Sequence, residues 1–136
     1  MYILDTNALS ELRRRDRANP GLAAWVRAAV EARLYLSAMT VFEIELGASR
    51  VARRDQAQGA MLRAWIDDTV LMRFADRILP VDAAVAMRAA HLHVPDPRPE
   101  RDALIAATAL VHGMTVITRN VADFTPTGVA VLSPWS

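Results

Sequence analysis

Four acidic residues stand where strand-like runs give way to helix-like ones: Asp5, Glu43, Asp102 and Asp123. Asp5 follows Tyr2-Ile3-Leu4, and Glu43 comes soon after Leu34-Tyr35-Leu36. Asp102 opens the apolar stretch Ala103–Ala107, and Asp123 follows the strand-like Thr115–Thr118. In an open parallel sheet the ligand site lies just beyond the carboxyl ends of the strands, so residues far apart in sequence can share one pocket. Carboxylates brought that close repel each other, so some must bind a proton or the cluster must hold a cation. An all-oxygen ligand set suits a hard cation such as Mg²⁺ or Mn²⁺. That combination points to phosphodiester chemistry.

Each acid also has a local reading. Asp5 sits where a helix N-cap belongs. Thr40-Val41-Phe42-Glu43 has the spacing of a capping box, in which Glu reaches back to the cap backbone. Asp102 lies in the first turn of a helix, where the macrodipole favours an acid. Asp123 fits a turn after Asn120. None of these roles explains why the four should gather, and in a doubly wound sheet a cap and a shared site are compatible. Thr6 and Asn7 follow Asp5, and Thr118, Arg119 and Asn120 precede Asp123. Thr6, Thr118 and Asn120 are candidates for orienting the carboxylates and bound water, with capping and turn formation as the local alternative.

The elements that must position these residues alternate. Tyr2–Asp5 reads as a strand, followed by helices over Thr6–Arg15 and from Pro20 to about Arg33. Leu34–Ser37 is the second strand, followed by helices over Thr40–Arg54 and Gln56–Ala75. Arg77–Val81 is a short strand, and Asp82 caps a helix through His93. Pro95, Pro97 and Pro99 make an extended connector to the helix Glu100–His112, closed by Gly113. Thr115–Thr118 and Val129–Leu132 are the last strands, with a short helix or loop between them. Strands alternating with helices indicate an α/β fold with a parallel sheet packed between helices.

The chain has 136 residues, which suits one domain over 1–136. Hydrophobic residues make up 53%, which argues against disorder. No apolar run approaches the roughly 20 residues that span a bilayer. The N-terminus has no basic, cleavable apolar segment, so a cytoplasmic protein without a membrane partner is expected. The absence of cysteine removes disulfides and thiolate metal sites. All 16 basic residues are arginine and the net charge is only +1. Runs of arginine close the first and third helices (Arg13, Arg14, Arg15, Arg17; Arg50, Arg53, Arg54), where they can meet helix C-termini or phosphates. His91 and His93 are two apart on a helix and face different ways, against a histidine metal site. There is no glycine-rich phosphate loop. Aspartyl-phosphate chemistry generally uses a lysine, and the chain has none.

Four segments together carry a family resemblance. Met1–Leu12 (MYILDTNALSEL), Leu36–Glu43 (LSAMTVFE), Asp102–Ala109 (DALIAATA) and Thr118–Phe124 (TRNVADF) resemble the four acidic motifs of PIN-domain proteins, in order and spacing. The likeness runs nearly end to end, including the tail Leu132–Trp135, and is nearest to VapC toxins of the FitB-like branch. It implies a PIN-like fold, with Asp5, Glu43, Asp102 and Asp123 as metal ligands and Mg²⁺ or Mn²⁺ as cofactor. It implies the toxin of a type II toxin–antitoxin system, an endoribonuclease acting on RNA as a homodimer. A cognate VapB-type antitoxin would neutralise it, laying its C-terminal tail across the toxin groove and contacting operator DNA through its own N-terminal half. The alternative is a catalytically weak module of the same fold that binds nucleic acid or an antitoxin. Two departures add negative charge. Glu45 follows the second acid where relatives often carry arginine, and Asp96 and Glu100 lie in the proline-rich segment before Asp102.

Overall fold

The computed structural model describes residues 1–136. In chain order it contains β1 (Tyr2–Leu4), α1 (Thr6–Glu11), α2 (Pro20–Ala28), β2 (Leu34–Ser37), α3 (Ala38–Arg54) and α4 (Gln56–Trp65). These are followed by α5 (Leu71–Arg73), β3 (Ile78–Leu79), α6 (Ala83–Leu92), α7 (Glu100–His112), β4 (Thr115–Ile117), α8 (Val121–Phe124) and β5 (Val131–Leu132). The strands form one five-stranded sheet in the order β3-β2-β1-β4-β5. Every pairing is parallel, with Tyr2 against Leu34 on one side of β1 and against Thr115 on the other.

Strand order reverses direction between β1 and β4. From β1 the chain builds outward through β2 and β3, and from β4 it builds the other way to β5. The helices that follow β1 and β4 therefore leave to opposite sides, which opens a crevice at the carboxyl ends of these two strands. Asp5 and Thr118 are the first residues beyond those ends.

The two-residue period of each strand fills two cores. Leu4, Leu34, Leu36 and Ile117 pack on one face with Leu22, Ile44, Ile66 and Val70. Ile3 and Val116 point the other way, against Ile105, Ala106 and Ala109 of α7. With both faces covered, short strands must be apolar at nearly every position, as these are. The same alternation puts Asp5 and Thr118 on the α7 side, in step with Ile3 and Val116. Helix α7 comes close because its buried residues are mostly alanine (Ala103, Ala106, Ala107, Ala109). It ends at Gly113, whose φ of 66° is the left-handed cap expected from the sequence.

Several helix limits differ from the sequence reading. Helix α1 stops at Glu11 and continues only as a tight 3₁₀ turn, Leu12–Arg14. Helix α2 stops at Ala28, because Ala29 and Val30 are extended and re-aim the chain toward β2. The long helix expected over 56–75 is interrupted at Ile66–Val70 by a wider, π-helical turn that buries both terminal residues of that stretch. Helix α3 starts at Ala38, not Thr40, because Ser37 is the N-cap and its hydroxyl accepts from the Met39 amide at 3.0 Å. The Thr40–Glu43 capping box is therefore not formed. Asp82 caps α6 as expected, accepting from the Val85 amide at 3.0 Å.

Two glycines are fixed by close backbone approach. A Cβ on Gly59 of α4 would lie 2.5 Å from Cα of Ala52, so this position sets the α3–α4 spacing. A Cβ on Gly21 would lie 2.3 Å from the Pro134 carbonyl oxygen, where the C-terminal tail crosses the start of α2. The Trp135 indole N–H donates to Glu11 at 3.3 Å, tethering that tail.

Candidate active site

Each acid leaves a different element at the carboxyl edge of the sheet. Asp5 is the N-cap of α1 and accepts from the Ala8 amide at 2.8 Å. It is 4% exposed, so its charge is held largely away from water. Burial raises its pKa above the ordinary aspartate value; hydrogen bonds from Thr118 and the Ala8 amide oppose that, and the Glu43 charge adds to it. Local cap and site member thus coincide in one side chain.

Glu43, freed from capping, lies one turn into α3 and is half-buried. The Thr6 hydroxyl donates to it at 2.8 Å. Thr6 also lies 3.1 Å from the buried Thr40 hydroxyl. A hydroxyl carries one proton, so with Thr6 donating to the carboxylate, Thr40 must donate to Thr6. The result is a chain of hydroxyls that aims Glu43 across from α1.

Asp102, in the first turn of α7, links the set. Its pKa is raised by burial first, then by the charges of Asp123, Glu43 and Asp5 in that order. One carboxylate therefore feels all three others, although they are dispersed along the sequence. Asp123 is exposed on the short α8 and closes the group. No three of these carboxylates converge on a single point. A cation here would keep several waters and use only one or two carboxylates directly.

The supporting residues divide. Thr6 hydrogen-bonds a carboxylate of the group, and buried Thr118 acts on Asp5 by lowering its pKa. Asn120 does not: its backbone amide donates to the Thr118 hydroxyl at 2.9 Å, while its side chain is exposed and caps nothing. Sequence reasoning passed over Ser37, Phe42 and Arg101. The Arg101 guanidinium lies 3.8 Å from Glu43 and 5.3 Å from the Phe42 ring centroid. The available signal was adjacency, since Phe42 and Arg101 each immediately precede one of the acids.

The departures from the family pattern resolve structurally. Glu45 pairs with Arg63 of α4, which also reaches Asp67 at 3.3 Å, so its charge is spent on the α3–α4 contact. Asp96 and Glu100 are exposed and are not among the charges acting on Asp102. Their segment is pinned by Arg98, whose side chain donates to the Leu92 carbonyl at 2.7 Å and whose amide donates to His93 at 3.0 Å. His93 therefore has a structural partner. A cavity of about 430 Å³ lies elsewhere: it is lined by Leu9, Leu12, Trp65 and Phe74 with Arg13, Arg14 and Arg15, and by none of the four acids.

Comparison with known proteins gives one consistent result. Residues 2–124 match the PIN domain. The chain is 35% identical over 140 residues to Toxin FitB of Neisseria gonorrhoeae, covering 99% of each. It is 33% identical over 142 residues to VapC ribonuclease Y4jK of Sinorhizobium fredii, covering 99% of this chain and 98% of the relative. Among solved structures, FitAB bound to an IR36 DNA fragment superposes with a TM-score of 0.88 at 35% identity, covering 100% of this chain and 96% of the matched one.

Proposed function

The chain belongs to the PIN-domain family, and from that premise we propose that it is the toxin of a type II toxin–antitoxin pair. In this reading it is an endoribonuclease that hydrolyses RNA phosphodiester bonds and is silenced by a VapB-type antitoxin. One observation carries the proposal: the charges of Asp123, Glu43 and Asp5 all act on half-buried Asp102. Unneutralised, such a cluster opposes folding, so its presence speaks for a cation-dependent task.

The residues fit a hard divalent cation, Mg²⁺ or Mn²⁺, because every donor is a carboxylate or hydroxyl oxygen. Asp5 and Asp102 would hold it, with Glu43 and Asp123 contributing directly or through water. When bound, such a cation lowers the pKa of a water and neutralises charge on the phosphate oxygens. The chain's own residues supply orientation and proton transfer. The Ala8 amide fixes the Asp5 carboxylate, and the Thr40–Thr6 hydroxyl chain fixes Glu43. One of Glu43 and Asp123 accepts the proton of the attacking water.

The partners follow from the relatives. The matched FitAB assembly was solved with DNA, and this chain is assigned a cognate antitoxin through which operator contact is made. Self-association into a homodimer has apolar surface available, since Met61, Leu71 and Met72 on α4 and α5 are 54%, 36% and 71% exposed. No helix is long and apolar enough to cross a membrane, and the cytoplasm is the proposed place of action. The test is incubation of the purified chain with single-stranded RNA in Mg²⁺, in Mn²⁺ and in EDTA, beside Asp102→Asn prepared in parallel. Cleavage that needs metal and vanishes in the variant supports the reading. Cleavage equal in both proteins, or none under any condition, rejects it in favour of contamination or a binding module.

A further inference from the structure

Of three Trp, two Tyr and three Phe residues, only Phe42 is exposed. Its fractional exposure is 51%, whereas Phe74 and Phe124 are buried in the two cores. It stands on α3 one residue before Glu43. Arg101 stands on α7 one residue before Asp102. The two side chains meet across the gap between these helices, with the guanidinium carbon 5.3 Å from the ring centroid. The same guanidinium lies 3.8 Å from the Glu43 carboxylate. An ion pair on one side and a cation–π contact on the other thus hold the guanidinium and the ring together, both partly open to solvent, beside the acidic cluster.

We propose that Phe42 and Arg101 form a stacking platform for an unpaired nucleobase next to the scissile phosphate. This rests on the ribonuclease reading above and adds what positions the strand. The acidic cluster repels a phosphodiester until a cation is present, so grip on the substrate must come from something other than carboxylates. A nucleobase is planar and neutral, and both an aromatic ring and a guanidinium can stack on its face. Every base has such a face, so the contact tolerates sequence. A base inside a duplex has both faces covered by its neighbours, so the platform selects single-stranded segments. Arg101 also brings the cationic group seen nearest to Glu43, which limits the repulsion felt by the incoming backbone.

The test is cleavage of a short, end-labelled, single-stranded RNA of mixed sequence and of versions with one abasic position moved along the strand. Wild type, Phe42→Ala and Phe42→Trp are compared, with thermal midpoints measured alongside. Wild type should be slowed roughly five- to a hundredfold by an abasic site at one position beside the cut. Phe42→Ala should slow cleavage of intact RNA by a similar factor, mainly through KM, and should lose the sensitivity to that abasic site. Phe42→Trp should restore both. The platform is refuted if Phe42→Ala cleaves intact RNA like wild type, or if the variant and abasic losses multiply. Wild-type cleavage combined with loss of self-association in Phe42→Ala also overturns it, assigning the ring to a protein interface. Failure of the ribonuclease reading is distinguishable, because wild type would then cleave none of the RNAs.

Discussion

Asp5 is assigned two tasks that substitution can separate. Its carboxylate caps α1 through the Ala8 amide at 2.8 Å, and it belongs to the acidic cluster. Asp5→Ala removes both. Loss of an N-cap costs up to about 2 kcal/mol. Removing a buried charge offsets part of this, because burial is the main reason its pKa is raised. The net expectation is a fall of about 1 kcal/mol, or roughly 3–4 °C in melting temperature for a chain of this size. Asp5→Ser keeps a hydroxyl able to cap the Ala8 amide but carries no charge. It should melt within about 2 °C of wild type in metal-free buffer. Both variants should lose at least about a hundredfold in RNA cleavage, the scale for removing a preorganised electrostatic group. Melting by circular dichroism and cleavage of labelled RNA read the two tasks independently. Serine-substituted enzyme cleaving within about threefold of wild type would refute the assignment of the carboxylate to chemistry. Serine melting as low as alanine would refute the capping part.

Further outcomes follow from the same geometry. Asp102 has a raised pKa in the folded state, so its ionised form weakens the metal-free fold. Stability should therefore be lost as pH rises through the folded pKa and regained as pH falls toward the ordinary value of 3.8. Asp102→Asn should melt higher than wild type near neutral pH without divalent ions, the gap closing on acidification; wild type should also gain stability from Mg²⁺ while the variant gains much less. A gap that widens in acid would contradict the sign. Gly59→Ala should destabilise by about 1–3 kcal/mol, although alanine is the better helix former by about 1 kcal/mol, because the new Cβ meets the Ala52 backbone. Chemical denaturation measures it, and a stabilised variant would show that the helices can separate without loss. Glu45→Ala should leave RNA cleavage unchanged and cost less than about 1 kcal/mol, as an exposed pair with Arg63. A large change in cleavage would return Glu45 to the site.

Much of this was legible in the sequence, for definite reasons. Tyr2–Leu4 and Thr115–Ile117 read as strands because a sheet covered on both faces needs continuous apolar runs. Gly113 and Asp82 read as caps because each role favours few residue types. The gathering of the acids was legible only through the rule that sites lie at strand carboxyl ends. The strand order itself, which places Asp5 and Thr118 at the crevice, depends on pairing that local pattern does not encode. Thr40–Glu43 imitates a capping box, and only the actual start of α3 shows Ser37 in that role. Asn120 looked like a site neighbour by proximity along the chain, yet its side chain turns to solvent. Glu45 and Arg63 are 18 positions apart, so their pairing, which neutralises an apparent departure, becomes visible only once α3 and α4 lie side by side. Phe42 could not be separated from core aromatics before its burial was known.

The most direct measurement is a crystal structure of the chain soaked in Mn²⁺, with anomalous scattering recorded at the manganese edge. A peak among the carboxylates, within bonding distance of oxygens from Asp5 or Asp102, is the result expected. A map showing manganese only at unrelated surface carboxylates, from crystals of protein that cleaves RNA, would contradict the assignment of the reaction to this cluster.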